Sequence, residues 1–465
     1  MIEFIKSLFI KVIIMSPSFA RIALSNWRQF GDVNIDVHPR LTIITGANGA
    51  GKSTILNIFS QHFGFAKPLI STPKRRRGGG LFYDLGYYKR ESVTLSGQIF
   101  KYDDEIEHLK DFDDEDVVET PPSPTGEFIP IGHLVYTNGI HASIGYQDQQ
   151  ANVYGILVLN QQPVMGVQIG SHRMNAAYQP VQGLSLQALA LDQAYALYLN
   201  EVNARMSGGH TGSSALYRMK ETLIAMAAFG EGNAHLEANR DLKITFDGFE
   251  AVLRKVLPRE LGFQKLSIRP PEIVLKTRTG EFVVDASSGG ISAIFEIAWQ
   301  IYLFSVGKSH FVVTIDEPEN HLHPSMQRTI LSNLIDAFPN GQFIVSTHSP
   351  FIVSAVEDSF VYALRYIDPI SEQSGLPLGS RRTVISERLD QSTRAGSASE
   401  ILREVLGVDV TLPQWAQGKL DAIVEKFGST KLTKATLESL RADLAKAGFA
   451  EYYPQALAKL VKNSD

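Results

Sequence analysis

The segment GANGAGKS, Gly46 to Ser53, constrains this 465-residue chain more than any other feature. It fits the pattern G-x-x-x-x-G-K-[ST], follows the apolar run LTIIT, and opens a helical pattern, STILNIFSQHF. Glycines at such positions let successive backbone N–H groups converge on phosphate oxygens without Cβ clashes. The helix that follows adds the positive end of its dipole. On this reading Gly46, Ala47, Asn48, Gly49, Ala50, Gly51, Lys52, Ser53 and Thr54 cradle the phosphates of ATP. Lys52 reaches the β- and γ-phosphates, and the Ser53 hydroxyl joins the Mg²⁺ shell.

A second element is expected to meet the first. FVVTIDEPEN, Phe311 to Asn320, is an apolar run that ends in two carboxylates. Such a run reads as a buried central strand, and ligands bind at the carboxyl ends of strands in open α/β sheets. Asp316 is expected to hold Mg²⁺, directly or through water, and Glu317 to polarise the attacking water.

Elsewhere the pattern divides the chain. ARIAL and VNIDV read as short strands, and SVTLSGQIF, HLVYT and YGILVLN read as an antiparallel β subdomain. Between them stand the basic loop KRRRGGG (Lys74 to Gly80), taken as a solvated loop or a phosphate-backbone contact, and an acidic segment followed by PPSPTG. Alanine- and leucine-rich runs separated by SGGHTGSS predict a helical hairpin projecting from the core. Strands then alternate with helices, which implies a largely parallel sheet, and amphipathic helices close the chain. The expected divisions are an N-terminal core half over 16–184, a helical insertion over 185–258, a C-terminal core half over 259–385 and a helical region over 386–465. The fold class is α/β.

With 44% apolar and 20% charged residues the chain has an ordinary globular composition. Its net charge of −5 argues against a generally basic nucleic-acid coat protein, and the lack of cysteine excludes disulfides, zinc–thiolate sites and thiol catalysis. Glu3, Lys6 and Lys11 interrupt the apolar start, so residues 1–14 read either as an upstream extension before Met15 or as an amphipathic helix. A cytoplasmic protein with no membrane span is expected. His321 and His323 form an H-x-H without a third ligand nearby in sequence, which disfavours zinc.

Three further motifs carry a resemblance. SSGG (Ser287 to Gly290), DEPENHLHP (Asp316 to Pro324) and STHSP (Ser346 to Pro350) resemble the signature, Walker B and switch-histidine motifs of ABC-class ATPases, in the branch of RecF, SMC-like and OLD-like proteins. The resemblance runs from about Phe19 to Val356 and departs at Ile291, where transporters usually carry glutamine. It implies an ABC-ATPase core in which ATP is sandwiched between two subunits. Ser288, Gly289 and Gly290 would then contact the γ-phosphate of the other subunit, and His348 would sense it within its own. The family's metal-binding Q-loop glutamine falls on Gln179, with Arg173 close by; alternatively these are a surface glutamine and an ordinary salt-bridge arginine.

Beyond His348 no TOPRIM-type acidic set is found, so the chain looks like an OLD-like ATPase without its own nuclease. In length and layout it resembles the ATPase of the PARIS anti-phage system. That family implies a homo-oligomer, a separate TOPRIM-like nuclease effector and a phage-encoded trigger. Septu ATPases, partnered with an HNH nuclease, and RecF-like ATPases that clamp DNA are the alternatives. The C-terminal helices are expected to pack or to dock a partner.

Overall fold

The three alternating runs near the start of the chain bury every second side chain or more, and become strands for that reason. They are Phe19–Trp27, Phe30–Asp36 and the fully buried Leu41–Gly46. The computed structural model describes residues 16–76, 81–86, 94–95, 98–99, 117–118, 126–149, 151–173, 178–185, 190–206, 208–209, 211–367, 382–390, 398–406, 414–427, 433–453, 456–457 and 460. Residues 1–14, most of the acidic segment and the end of the basic loop lie outside them. The chain divides into two compact units, Met1–Gly396 and Ser397–Asp465.

One mixed sheet of 11 strands organises the first unit. Its order is Leu157–Leu159, His141–Gln147, Phe128–Tyr136, Phe19–Trp27, Phe30–Asp36, Thr383–Arg388, Phe360–Ile367, Leu41–Gly46, Gly341–Ser346, Phe311–Asp316 and Gly166–Ile169. The last five run parallel to one another, and Phe360–Ile367 meets Thr383–Arg388 antiparallel. Of the antiparallel strands expected as a subdomain, those of HLVYT and YGILVLN continue this same sheet, because Phe19–Trp27 pairs with both Phe30–Asp36 and Phe128–Tyr136, whereas Thr94–Leu95 and Gln98–Ile99 of SVTLSGQIF pair with each other apart from it. Part of the basic segment expected as a loop is also a strand: Thr72–Arg76 pairs with Leu81–Asp84, and Lys74 meets Asp84 at 2.7 Å.

The helix Lys52–Ser60 lies against the parallel strands. Its Ser60 hydroxyl is 2.9 Å from that of Thr314, a buried polar residue in the Phe311–Asp316 strand. Phe59 packs on Phe19 with ring centroids 4.6 Å apart. These contacts fix the end of the helix against the sheet, and its start meets the carboxyl edge of the strands where Ser53 reaches Asp316.

The helical insertion differs from expectation. It contains three helices, Leu191–Met206, Ala215–Gly230 and Arg240–Val256, and it does not project as a free hairpin. Leu242, Phe249, Val252, Leu253 and Val256 form a buried stripe at helical spacing, so the third helix must bury that face. It does so against Gly289–Ser305: Phe249 lies 4.9 Å from Trp299 and 5.4 Å from Phe295, and the Tyr302 hydroxyl donates to Thr245 O at 2.7 Å. Burying one such aromatic contributes on the order of 3 kcal/mol. A three-stranded meander, Phe263–Arg269, Glu272–Thr277 and Gly280–Val283, leads into the SSGG segment.

The boundary expected at 386 falls inside the strand Thr383–Arg388, which pairs with Phe360–Ile367. The second unit contains the helices Ala398–Glu404, Gln414–Glu425 and Lys434–Lys446. Leu420, Val424, Leu440, Leu444, Phe449 and Leu460 form its own core. Among the described residues no helix is long and apolar enough to cross a membrane.

Candidate nucleotide-binding site

Strand register brings the sequence motifs together. Asp316 pairs with Ser346, and Ser346 with Ile44, across three parallel strands. The glycine-rich turn, the Asp316–Glu317 carboxylates and the His348 loop therefore leave the sheet at one edge.

Two glycines shape the turn. Gly46 (φ 135°) and Gly51 (φ 96°) take conformations that L side chains rarely adopt. A Cβ would stand 2.4 Å from Leu364 O at Gly46, and 2.4 Å from the Phe30 ring at Gly51. Ala50 is fully buried beneath the turn, and Gln29 Nε2 donates to Gly49 O at 3.2 Å. Asn48 and Gly49 stay exposed, and Thr54 is half-buried on the first turn of the helix. The cradle is thus held by residues of the preceding hairpin.

Lys52 folds over this turn, donating to the carbonyls of Gly46 and Ala47 at 3.1 and 3.0 Å. Burial lowers its pKa to about 8, against the opposing pull of Asp316, Glu317 and Glu319. Triphosphate needs the protonated form, and its charge raises the pKa of the bound state. ATP affinity should therefore be constant below about pH 8 and weaken as pH rises above it, by up to about tenfold per unit. Calorimetric titration at pH 7, 8 and 9 checks this, with proton uptake on binding at pH 8 to 9. Folding stability carries the opposite slope: the unfolded lysine holds its proton to higher pH, so this group's penalty is relieved as pH rises from about 8 towards 10.5.

Ser53 Oγ donates to Asp316 Oδ2 at 2.9 Å, and Ser346 Oγ donates to Asp316 Oδ1. A hydroxyl and a carboxylate beside a phosphate cradle form a hard-oxygen donor set that fits Mg²⁺. Ser53 and Asp316 would hold the ion, which when bound neutralises charge on the phosphate oxygens.

Glu317 has φ 50°, left-handed for a non-glycine residue, at a cost of about 1–3 kcal/mol. Its N–H donates to Ser346 O at 2.9 Å, Asn320 Nδ2 donates to its Oε2 at 2.9 Å, and its Oε1 lies 4.0 Å from His348 Nε2. Burial, then the Lys52 charge, lowers the His348 pKa, so the ring is neutral at pH 7. Glu319 fixes the histidine's backbone: its Oε1 accepts from Thr347 Oγ1 at 2.7 Å, His348 N at 2.8 Å and Ser349 N at 3.2 Å. Burial raises its own pKa. Glu319 and Asn320 stand in the DEPEN run, but nothing in the run's spacing marks their roles.

Ser288 caps Gly289–Ser305, its hydroxyl accepting from Ile291 N at 3.5 Å. Gly290 lies so close to His321 that a Cβ there would be 3.1 Å from its carbonyl oxygen. Ser288, Gly289 and Gly290 thus sit at a helix start beside the His321 turn, and no hydrogen bond among the described residues joins them to the glycine-rich turn.

Gln179 is not brought to the cluster. Its amide donates to Gly212 O at 3.0 Å and accepts from Ser214 N at 3.1 Å, next to the second helix of the insertion, not from Ser53 or Asp316. The glutamine on the strand beside Phe311–Asp316 is Gln168, whose amide is 3.5 Å from Asn57 of the Lys52–Ser60 helix. Gln168 lies within the parallel edge strand Gly166–Ile169, whereas Gln179 lies ten residues beyond its end. Arg173 does reach it, donating to the carbonyls of Glu317, Pro318 and Asn320. His323 caps the short helix Pro324–Gln327, and among the described residues no cluster of three or more His, Asp or Glu is placed to hold a metal.

Comparison with known proteins agrees with this geometry. A family model described as "AAA domain, putative AbiEii toxin, Type IV TA system" matches residues 258–354, and a second, "AAA domain", matches residues 21–115. A retron Vc95 probable ATPase of Vibrio cholerae serotype O1 biovar El Tor is 44% identical over 57 residues, 12% of this chain and 11% of that protein. The Septu protein PtuA of Bacillus thuringiensis is 27% identical over 167 residues, 34% of this chain and 40% of that protein. The SMC head domain from Thermotoga maritima superposes with a TM-score of 0.36 at 12% identity, over 75% of this chain and 95% of that one. The chain therefore spans well under half the length of both curated relatives. The mixed sheet with its carboxyl-edge site thus forms an α/β core that two AAA-domain models match in separate stretches, and a retron probable ATPase and a Septu protein are among the proteins to which the chain is similar.

Proposed function

We propose that the chain binds and hydrolyses Mg²⁺–ATP between two of its own copies, and that this cycle serves an anti-phage defence assembly. The observation that carries the hydrolytic part is Glu317, a carboxylate held by Asn320 and facing His348, one residue beyond the carboxylate that meets Ser53. Lys52 and the turn amides hold the phosphates, Ser53 and Asp316 the metal, and Glu317 orients the water for in-line attack. Ser288 caps its own helix, and its hydroxyl and the Gly289–Gly290 amides would, as the resemblance to ABC-class ATPases implies, meet a γ-phosphate on a second copy. Closure then depends on the γ-phosphate, and hydrolysis shifts the closed population.

The defence assignment draws on the retron and Septu relatives. Its finer form is a scaffold of two or more copies that holds a separate TOPRIM-like nuclease and releases it on sensing a phage-encoded trigger, as the resemblance to the PARIS ATPase implies. The 167-residue match to a Septu protein favours a variant in which the effector is an HNH nuclease.

Affinity capture of tagged protein from its host, with and without ATP, tests this reading. A stoichiometric nuclease partner is the expected result; retention of DNA with no protein partner would replace it by a RecF-like clamp. In parallel, Lys52→Ala should weaken ATP binding by about 10- to 100-fold, the loss of hydrogen bonds from a charged donor, and should fail to dimerise with ATP in analytical ultracentrifugation.

A further inference from the structure

We infer that Arg173 is a positioning residue for ATP hydrolysis: its guanidinium fixes the turn that aims Glu317. The inference rests on the reading of Glu317 given above. The strand Gly166–Ile169 runs parallel to Phe311–Asp316 with Ile169 opposite Ile315, so the segments after them leave the sheet side by side. Arg173 is 8% exposed. Its Nη1 donates to Pro318 O and Asn320 O, each at 3.2 Å, and its Nη2 donates to Glu317 O at 3.1 Å. Asn320 ties the same two segments together, its Nδ2 donating to Ser171 O at 3.0 Å and to Glu317 Oε2 at 2.9 Å.

The acceptors decide the role. All three of these hydrogen bonds go to main-chain carbonyls and none to a carboxylate, so the guanidinium holds a backbone shape and is not an ordinary salt-bridge arginine. The carbonyls belong to one turn, bracketed by two left-handed non-glycine residues, Glu317 (φ 50°) and His321 (φ 68°). Such a turn points several carbonyls inward with no strand partner, and buried carbonyls need donors. A planar fork with five N–H groups serves three of them from one side, which the point charge of a lysine does not. Burying the cation is unfavourable, and the surrounding carboxylates of Glu296, Glu319, Asp316 and Glu317 offset that cost. A buried charge with its donors on this turn is explained by what the turn carries: Glu317, Asn320, which orients it, and Glu319, which holds the His348 backbone.

The test is steady-state hydrolysis and fluorescent-ATP binding for Arg173→Lys, Glu317→Gln and the double variant, all in the full chain. Arg173→Lys should lower kcat at least about tenfold while KM and ATP affinity stay within about twofold of wild type. Added to Glu317→Gln it should cause no further loss, because it acts through that carboxylate. Wild-type kcat in Arg173→Lys, an equal loss of ATP affinity, or a full additional loss in the double variant would each overturn the inference. Should Arg173→Lys fail to fold by circular dichroism, Asn320→Ala carries the test, since it removes the other tie: a loss of kcat alone supports the clamp, and a wild-type rate sinks it. If Glu317→Gln itself hydrolyses ATP normally, the failure belongs to the assignment of Glu317. An inactive Glu317→Gln beside an active Arg173→Lys condemns only the role of Arg173.

Discussion

Glu317→Gln will lower kcat for ATP hydrolysis by about 10²- to 10⁴-fold while the protein still binds Mg²⁺–ATP. The amide keeps the shape of the carboxylate but cannot accept the proton of the attacking water. Asn320 Nδ2 now donates to Oε2 at 2.9 Å, and glutamine still offers one oxygen to it, so the turn survives the change. Lys52, Ser53 and Asp316 are untouched, and the phosphate cradle and metal donors remain. The variant should therefore accumulate in the ATP-bound, closed form, seen as a stable dimer in ATP and not in ADP. Single-turnover hydrolysis with labelled ATP, beside sedimentation, reads both properties. Hydrolysis at the wild-type rate would move the water-orienting role away from Glu317, and Glu319 would be the next carboxylate to examine.

A comparably large effect, on stability, is expected at Lys220. Its side chain is fully buried and its Nζ lies 2.7 Å from Asp285 and 3.2 Å from Glu272. Asp285 is 3% exposed, so Lys220→Ala leaves a carboxylate out of water with its cation gone. Breaking a buried pair in this way costs about 3–5 kcal/mol, a downward shift in the thermal midpoint of roughly 5–15 °C. By contrast Arg269 and Glu281, both about half exposed, form a surface pair, and Arg269→Ala should cost no more than about 1 kcal/mol. Replacing the buried set together, Lys220→Met with Asp285→Asn and Glu272→Gln, should recover most of the loss, because no charge is then stranded. Differential scanning calorimetry of the four proteins makes the comparison. A Lys220→Ala midpoint equal to that of Arg269→Ala would mean that the cluster is hydrated in solution.

Legibility in the sequence follows how local each signal is. The Gly46–Ser53 turn with its flanking strand and helix, and the Phe311–Asp316 strand, were readable because period and glycine placement act over a few residues. The helices of the 185–258 segment were readable as helices, but not as three, nor as packed on Gly289–Ser305. That packing depends on the apolar stripe of Arg240–Val256 finding Trp299 and Phe295, which no period within the helix states. The period of the antiparallel strands likewise does not state their sheet: hydrogen bonding through Phe19–Trp27 joins Phe128–Tyr136 and the strands beyond it to the main sheet, while Thr94–Leu95 and Gln98–Ile99 pair apart from it.

What the sequence by itself determined is the set of groups: a glycine-rich turn, a lysine, a hydroxyl and two carboxylates at a strand end, each set by residue identity and short-range geometry. The tertiary structure decided how they meet. Ser53 touches Asp316 across 263 positions only because parallel register places Asp316, Ser346 and Ile44 in one row. The same register sets Arg173 against the Glu317 turn and leaves Gln179 bonded at Gly212 and Ser214. Register and helix packing minimise buried unpaired polar groups over the whole fold, so they are global solutions that no window of the sequence contains.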